Sequence, residues 1–136
     1  MTKAWLIALA VAGLAMPAAA SETKLSAHLG GAGSADADGA GHVNFRVDAA
    51  KNEVCYDMMV EKIAVATMAH IHKAPAGANG PVAVPLNKPG ADGKASGCAT
   101  VRAPVVADIL ANPGGYYVNV HNAEHPGGAV RGQLSK

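Results

Sequence analysis

Two histidines one residue apart, His70 and His72, raise the chemical question, and His121 extends it. The pair sits in MAHIHKAPAGANGPV, residues 68–82, and the third in GGYYVNVHNAEHPGGAVRGQL, residues 114–134. On an extended strand, alternation puts Met68, His70 and His72 on one face and Ala69 and Ile71 on the other. Same-face Cβ atoms two residues apart lie about 7 Å from each other. Two imidazoles so placed can converge on one ion, and a third from a neighbouring strand completes a three-histidine site. Neutral imidazole suits copper, zinc and nickel, and three protein ligands leave one position open. Met68 is a further candidate ligand, because a thioether favours monovalent copper. Asn119 is a candidate to orient an imidazole through its second ring nitrogen. The competing reading is a solvated polar face whose histidines bind nothing.

The elements that must position these groups read as short strands. Glycine and proline are plentiful, and long helical periodicity is absent. Alternating runs recur between turn signals: KLSAHLG (residues 24–30), HVNFRVD (42–48), EVCYDMMVE (53–61), TMAHIHK (67–73), PVAVPL (81–86), ASGCATV (95–101), YYVNVH (116–121) and AVRGQL (129–134). Such spacing predicts an all-β sandwich or barrel, and the expectation taken forward is an antiparallel Greek-key sandwich with one short helix. Pro85 suits a sheet edge, where its missing N–H costs nothing. APVVADILANPGG is the one helix candidate, about two turns long, stopped by Pro113 and Gly114. In YYVNVH, Tyr117, Asn119 and His121 share a face, and Arg131 and Gln133 share one on the last strand. If these three strands are neighbours, His70, His72, Asn119, His121, Arg131 and Gln133 form one polar surface.

The other histidines carry less. His125 precedes Pro126-Gly127-Gly128 and reads as a turn residue. His28 and His42 lack same-face histidine partners and read as surface residues. Asp36 and Asp38 lie in a glycine-rich loop but lack the downstream glutamate of a calcium-binding helix–loop–helix. No nucleophile elbow, phosphate-binding glycine loop or dinucleotide fingerprint is present, so no residue is assigned a catalytic role.

The N-terminus has the form of a signal peptide. Lys3 precedes an apolar run, residues 4–15, and Ala18-Ala19-Ala20 offers a cleavage site before Ser21. The run is shorter than the roughly 20 residues of a spanning helix, so the expectation is export to the periplasm or medium, with no membrane span in the mature chain. One domain, residues 21–136, follows. Without Lys3 the ten acidic residues face ten basic ones. No basic patch invites nucleic acid. In an oxidising compartment the two cysteines, Cys55 and Cys98, favour one disulfide. Closing a loop of about 43 residues stabilises by roughly 4 kcal/mol. After Trp5 leaves with the signal peptide, Phe45 and three tyrosines are the only aromatics, so the core is thin and the disulfide matters.

The stretches AHIHKAPAGANGPVAVPL and NPGGYYVNVHNAEHPGGAVRGQL resemble the CHRD domain, named after chordin, and their spacing with VCYDMMV and ASGCATV is similar to its bacterial secreted members. The resemblance covers residues 24–134. It implies an immunoglobulin-like or superoxide-dismutase-like sandwich and no settled enzymatic activity. A looser resemblance links His-Ile-His to the copper-binding His-Val-His strand of copper,zinc superoxide dismutases. Their zinc loop has no counterpart in residues 73–80, and Arg131 is the candidate for their arginine.

The first expectation is therefore an exported binding module holding copper or zinc through His70, His72 and His121. Met68, Asn119 and Arg131 are additional or supporting residues. The second is an envelope or extracellular structural module, with a protein partner and no ion. The third is a dismutase-like enzyme.

Overall fold

The structure is a computed structural model that describes residues 22–31 and 36–136, together with Gly13. The signal-peptide reading otherwise falls outside the described residues.

Eight strands and one helix follow in chain order: β1 Glu22–Gly30, β2 Ala40–Asp48, β3 Glu53–Glu61, β4 Ala66–Lys73, β5 Val82–Leu86, β6 Lys94–Thr100, α1 Ala103–Ala111, β7 Tyr116–Asn122 and β8 Val130–Ser135. They form one sheet in the order β5-β4-β7-β8-β1-β2-β3-β6, antiparallel at every pairing. The sheet curls into a sandwich-like barrel, with β5 approaching β6 at the seam. Pro85 sits on the terminal strand β5, as its missing donor requires.

Period-two alternation explains the core. Leu25, Ala27 and Leu29 of β1 point inward, as do Val43, Phe45 and Val47 of β2 and Val54, Tyr56, Met58 and Val60 of β3. Ile71, Val118, Val120, Val130 and Leu134 continue the same interior. Helix α1 starts with Pro104 in its first turn and buries Val106 and Ile109, three residues apart on one face. A short 3-10 turn, Pro113–Gly115, then leads into β7. Tyr116 ties the helix down by donating its hydroxyl proton to the Asp108 carboxylate, which also pairs with Lys73 at 3.0 Å.

Cys55 and Cys98 are directly opposed on β3 and β6 and form a disulfide. Glu53 lies beside them, but sulfurs joined to each other offer no thiolate to an ion.

Candidate metal centre

The three polar-faced strands are neighbours. β7 lies between β4 and β8, with His70 opposite Asn119, His72 opposite Tyr117 and Asn119 opposite Arg131. Alternation alone would leave that face in water. Instead every residue of β7 is buried, because the segments 74–80 and 123–128 fold over the outer side. His72 keeps 9% exposure and His121 8%.

The ligand nitrogens of His70, His72 and His121 all lie within 4.8 Å of one another. His70 Nδ1 is 3.3 Å from His121 Nε2. Nitrogens sharing one ion in a roughly tetrahedral site stand about 3.3–3.5 Å apart, given metal–nitrogen bonds near 2 Å. One pair is thus at ligand spacing, and the third imidazole, His72, offers its nitrogen within 4.8 Å of the other two.

Backbone carbonyls set which nitrogens face inward. His72 Nδ1 donates to the carbonyl of Gly80 at 2.9 Å, and His121 Nδ1 donates to that of Pro126 at 2.9 Å. A carbonyl only accepts, so each Nδ1 carries the proton and each Nε2 carries a lone pair. This is how ligating imidazoles are oriented in metal sites. His72 Nε2 is buried and meets no hydrogen-bond partner among the described residues. An unsatisfied buried polar atom costs roughly 1–3 kcal/mol, and a cation at that point would satisfy it. Burial first, then the neighbouring His121 and His72, holds the pKa of His70 below the usual histidine range.

Tyr117 braces the cluster. Its ring stacks on His72, with centroids 5.0 Å apart and planes 7° from parallel. Arg131 places its guanidinium carbon 3.7 Å from the Tyr117 centroid, so the phenol is sandwiched. The Tyr117 hydroxyl accepts from Gly80 N–H at 3.2 Å. Arg131 also donates to Asn79 Oδ1 at 3.0 Å and to the Ala78 carbonyl at 2.8 Å. Its charge is therefore committed to the 74–80 segment that carries Gly80.

The candidate residues fall out as follows. His70, His72 and His121 are brought together. Met68 sits directly opposite His121 and is 51% exposed, on the rim of the site. Asn119 does not hold an imidazole: its Nδ2 donates to the Gly127 carbonyl at 3.2 Å. It anchors the loop that carries Pro126, and backbone carbonyls hold the rings instead. The Asn119 side chain also explains Gly128, where a Cβ would stand 2.2 Å from Asn119 Oδ1 and φ is +129°. Gln133 donates to the carbonyls of Ala74 and Gly114, at 3.1 and 2.8 Å. His125 is a turn residue, its carbonyl accepting from Gly128 N–H at 3.0 Å, with Nε2 3.9 Å from the Asp36 carboxylate.

His28 and His42 are not isolated surface residues: they face each other across β1 and β2, with Nδ1 atoms 3.3 Å apart. Alternation compares residues on one strand and says nothing of a partner across the hairpin. Tyr117 and the Gly80 and Pro126 carbonyls were missed for a related reason, since long-range contacts leave no local pattern. The only local signals were the Gly80-Pro81 and Pro126-Gly127-Gly128 turns.

No curated protein and no solved structure matches this chain. The family model of the CHRD domain matches residues 25–134, from the first core residue of β1 to Leu134 of β8. That span takes in most of β1 and β8, all of the strands between them and all three clustered histidines, and the chain belongs to the CHRD domain family.

Proposed function

We propose that this chain is an exported, non-catalytic binding module that holds one copper or zinc ion through His70, His72 and His121. The observation that carries the reading is the buried lone pair of His72 Nε2, unpartnered and beside two further imidazoles. Two of the three rings are locked by carbonyls in the tautomer a metal needs. The third, His70, is held neutral by burial and by its neighbours, so an ion need not displace a proton from a cationic ring at neutral pH. Three protein nitrogens leave one position for water, for Met68 or for an exchangeable partner ligand. This suits storage, sensing or stress protection. The Cys55–Cys98 disulfide supports an oxidising compartment, periplasmic or extracellular. No helix among the described residues is long and apolar enough to cross a membrane.

X-ray absorption on the zinc- or copper-loaded protein tests the donor set. The expected spectrum has imidazole scattering with metal–nitrogen distances near 2.0 Å. A shell of oxygen donors without imidazole would contradict the assignment.

A further inference from the structure

The His28–His42 pair lies on the same outer side of the sheet as the three-histidine cluster, with β8 separating β7 from β1. The two rings stand 4.8 Å apart between centroids, tilted by 53°. His42 Nε2 is 2.9 Å from Asn44 Oδ1. An amide oxygen only accepts, so Nε2 carries the proton and Nδ1 presents its lone pair to His28. A fixed acceptor on one nitrogen thus frees the other, the same arrangement as at His72.

The row continues onto β3. Met59 is the direct cross-strand partner of His42 and points to the same outer face. Directly opposed Cβ atoms lie about 4.5–5.5 Å apart, within reach of a flexible thioether. Met59 is 53% exposed at a position where alternation calls for a polar residue. It shares the wall of a surface cleft of about 510 Å³ with His42, Asn44, Asp92 and Ser96. Among the described residues, neither His28 nor His42 falls in a group of three histidine, cysteine or carboxylate ligands. The further donor that the cross-strand register places beside His42 on this face is the Met59 sulfur. Asp57, also in the cleft, is engaged by Arg46 at 2.8 Å.

Two imidazoles with one thioether make a soft, low-coordinate and uncharged donor set. Thioether sulfur selects monovalent copper over zinc, and harder cations prefer carboxylate oxygen. We propose that His28, His42 and Met59 form a second cation site, specific for monovalent copper and independent of the three-histidine centre. The two sites share no ligand, so either can exist without the other.

The test starts from a His72→Ala/His121→Ala chain, which removes the first centre. It is titrated with Cu(I) against a chromophoric Cu(I) chelator, with Zn(II) in parallel. The expected result is one equivalent of Cu(I), weakened at least tenfold by adding His42→Ala and several-fold by adding Met59→Leu, with little Zn(II) bound. In the unmutated chain, Cu(I) should also shift the ring-proton NMR signals of His28 and His42 and the Met59 methyl signal. That second readout does not depend on any variant folding. Absence of Cu(I) binding in the starting chain would overturn the proposal. So would an affinity that neither added substitution changes, or Zn(II) bound as tightly as Cu(I). Failure of the three-histidine centre would instead appear in the unmutated chain as Zn(II) or Cu(II) binding indifferent to His72→Ala.

Discussion

His72 Nδ1 donates to the Gly80 carbonyl at 2.9 Å, and that contact turns Nε2 inward to a point where no protein atom among the described residues satisfies it. The tautomer is set by backbone, not by a side chain. The 74–80 segment is therefore part of the site even though it supplies no ligand.

Removing a ligand should be costly. His72→Ala or His121→Ala should each weaken ion binding at least tenfold, because a chelate set of three falls to two. His125→Ala should leave affinity within about twofold, since that side chain lies outside the cluster. Isothermal titration of the three variants beside the unmutated chain checks both statements.

The loop carbonyls should matter nearly as much. Gly128→Ala puts a Cβ against Asn119 Oδ1 and forces a non-glycine residue to φ +129°. Strain of this kind costs about 1–3 kcal/mol. The amide cannot swing clear without losing its bond to Gly127, so the Pro126 carbonyl moves away from His121. The variant should melt lower and bind the ion more weakly. Thermal melts of the ion-free chain and titrations separate the two effects.

The strand faces were legible in the sequence because period two is strict. Met68, His70 and His72 could be placed on one side of β4, and Tyr117, Asn119 and His121 on one side of β7, from residue types alone. The Pro85 edge and the helix stopped before Pro113 were legible for equally local reasons. What did not show was everything that depends on which strand meets which. The His28–His42 pair is set by hairpin register, and the stack of Arg131, Tyr117 and His72 by three strands lying side by side. The direct hold on the imidazoles does not come from Asn119, whose amide instead anchors the loop at Gly127. Gly80 and Pro126 supply that hold with carbonyls, which every residue type possesses.

Acid should release the ion and also loosen the ion-free protein. The pKa of His70 is lowered on folding, so the unfolded chain binds its proton more readily. Stability from this group is therefore complete above the ordinary histidine value of about 6.5 and falls as pH drops from there through the depressed folded value. Ion binding, which needs the neutral ring, should decline over the same acidic range. Urea unfolding of the ion-free chain from pH 8 to pH 5 reads the first effect; a stability that rises on acidification through this window would refute it.

The helix anchor gives a separate electrostatic test. Hydrogen bonding from Tyr116, then from Lys73, holds the Asp108 carboxyl below the usual carboxylate range, while burial and Asp108 push the Tyr116 phenol up to about 12. Tyr116→Phe should move the Asp108 pKa upward toward its ordinary value, read by carboxyl-carbon NMR. An unmoved value would mean that Lys73 alone sets it.

The disulfide joins directly opposed residues of β3 and the terminal strand β6. Cys55→Ser/Cys98→Ser should lower stability by up to about 4 kcal/mol, the loop-entropy value for a 43-residue separation. Metal affinity should stay unchanged, because the bridge lies on strands that carry none of the three ligands. Chemical denaturation and a zinc titration of the same sample check both.

The most direct measurement is a calorimetric titration of the untagged chain with Zn(II) and Cu(II), with His72→Ala run beside it. The expected result is one-to-one binding of micromolar strength or tighter that is lost or weakened at least tenfold in the variant. Absence of binding, or equal binding by both proteins, would contradict it and leave the three histidines as a buried polar cluster of the CHRD fold.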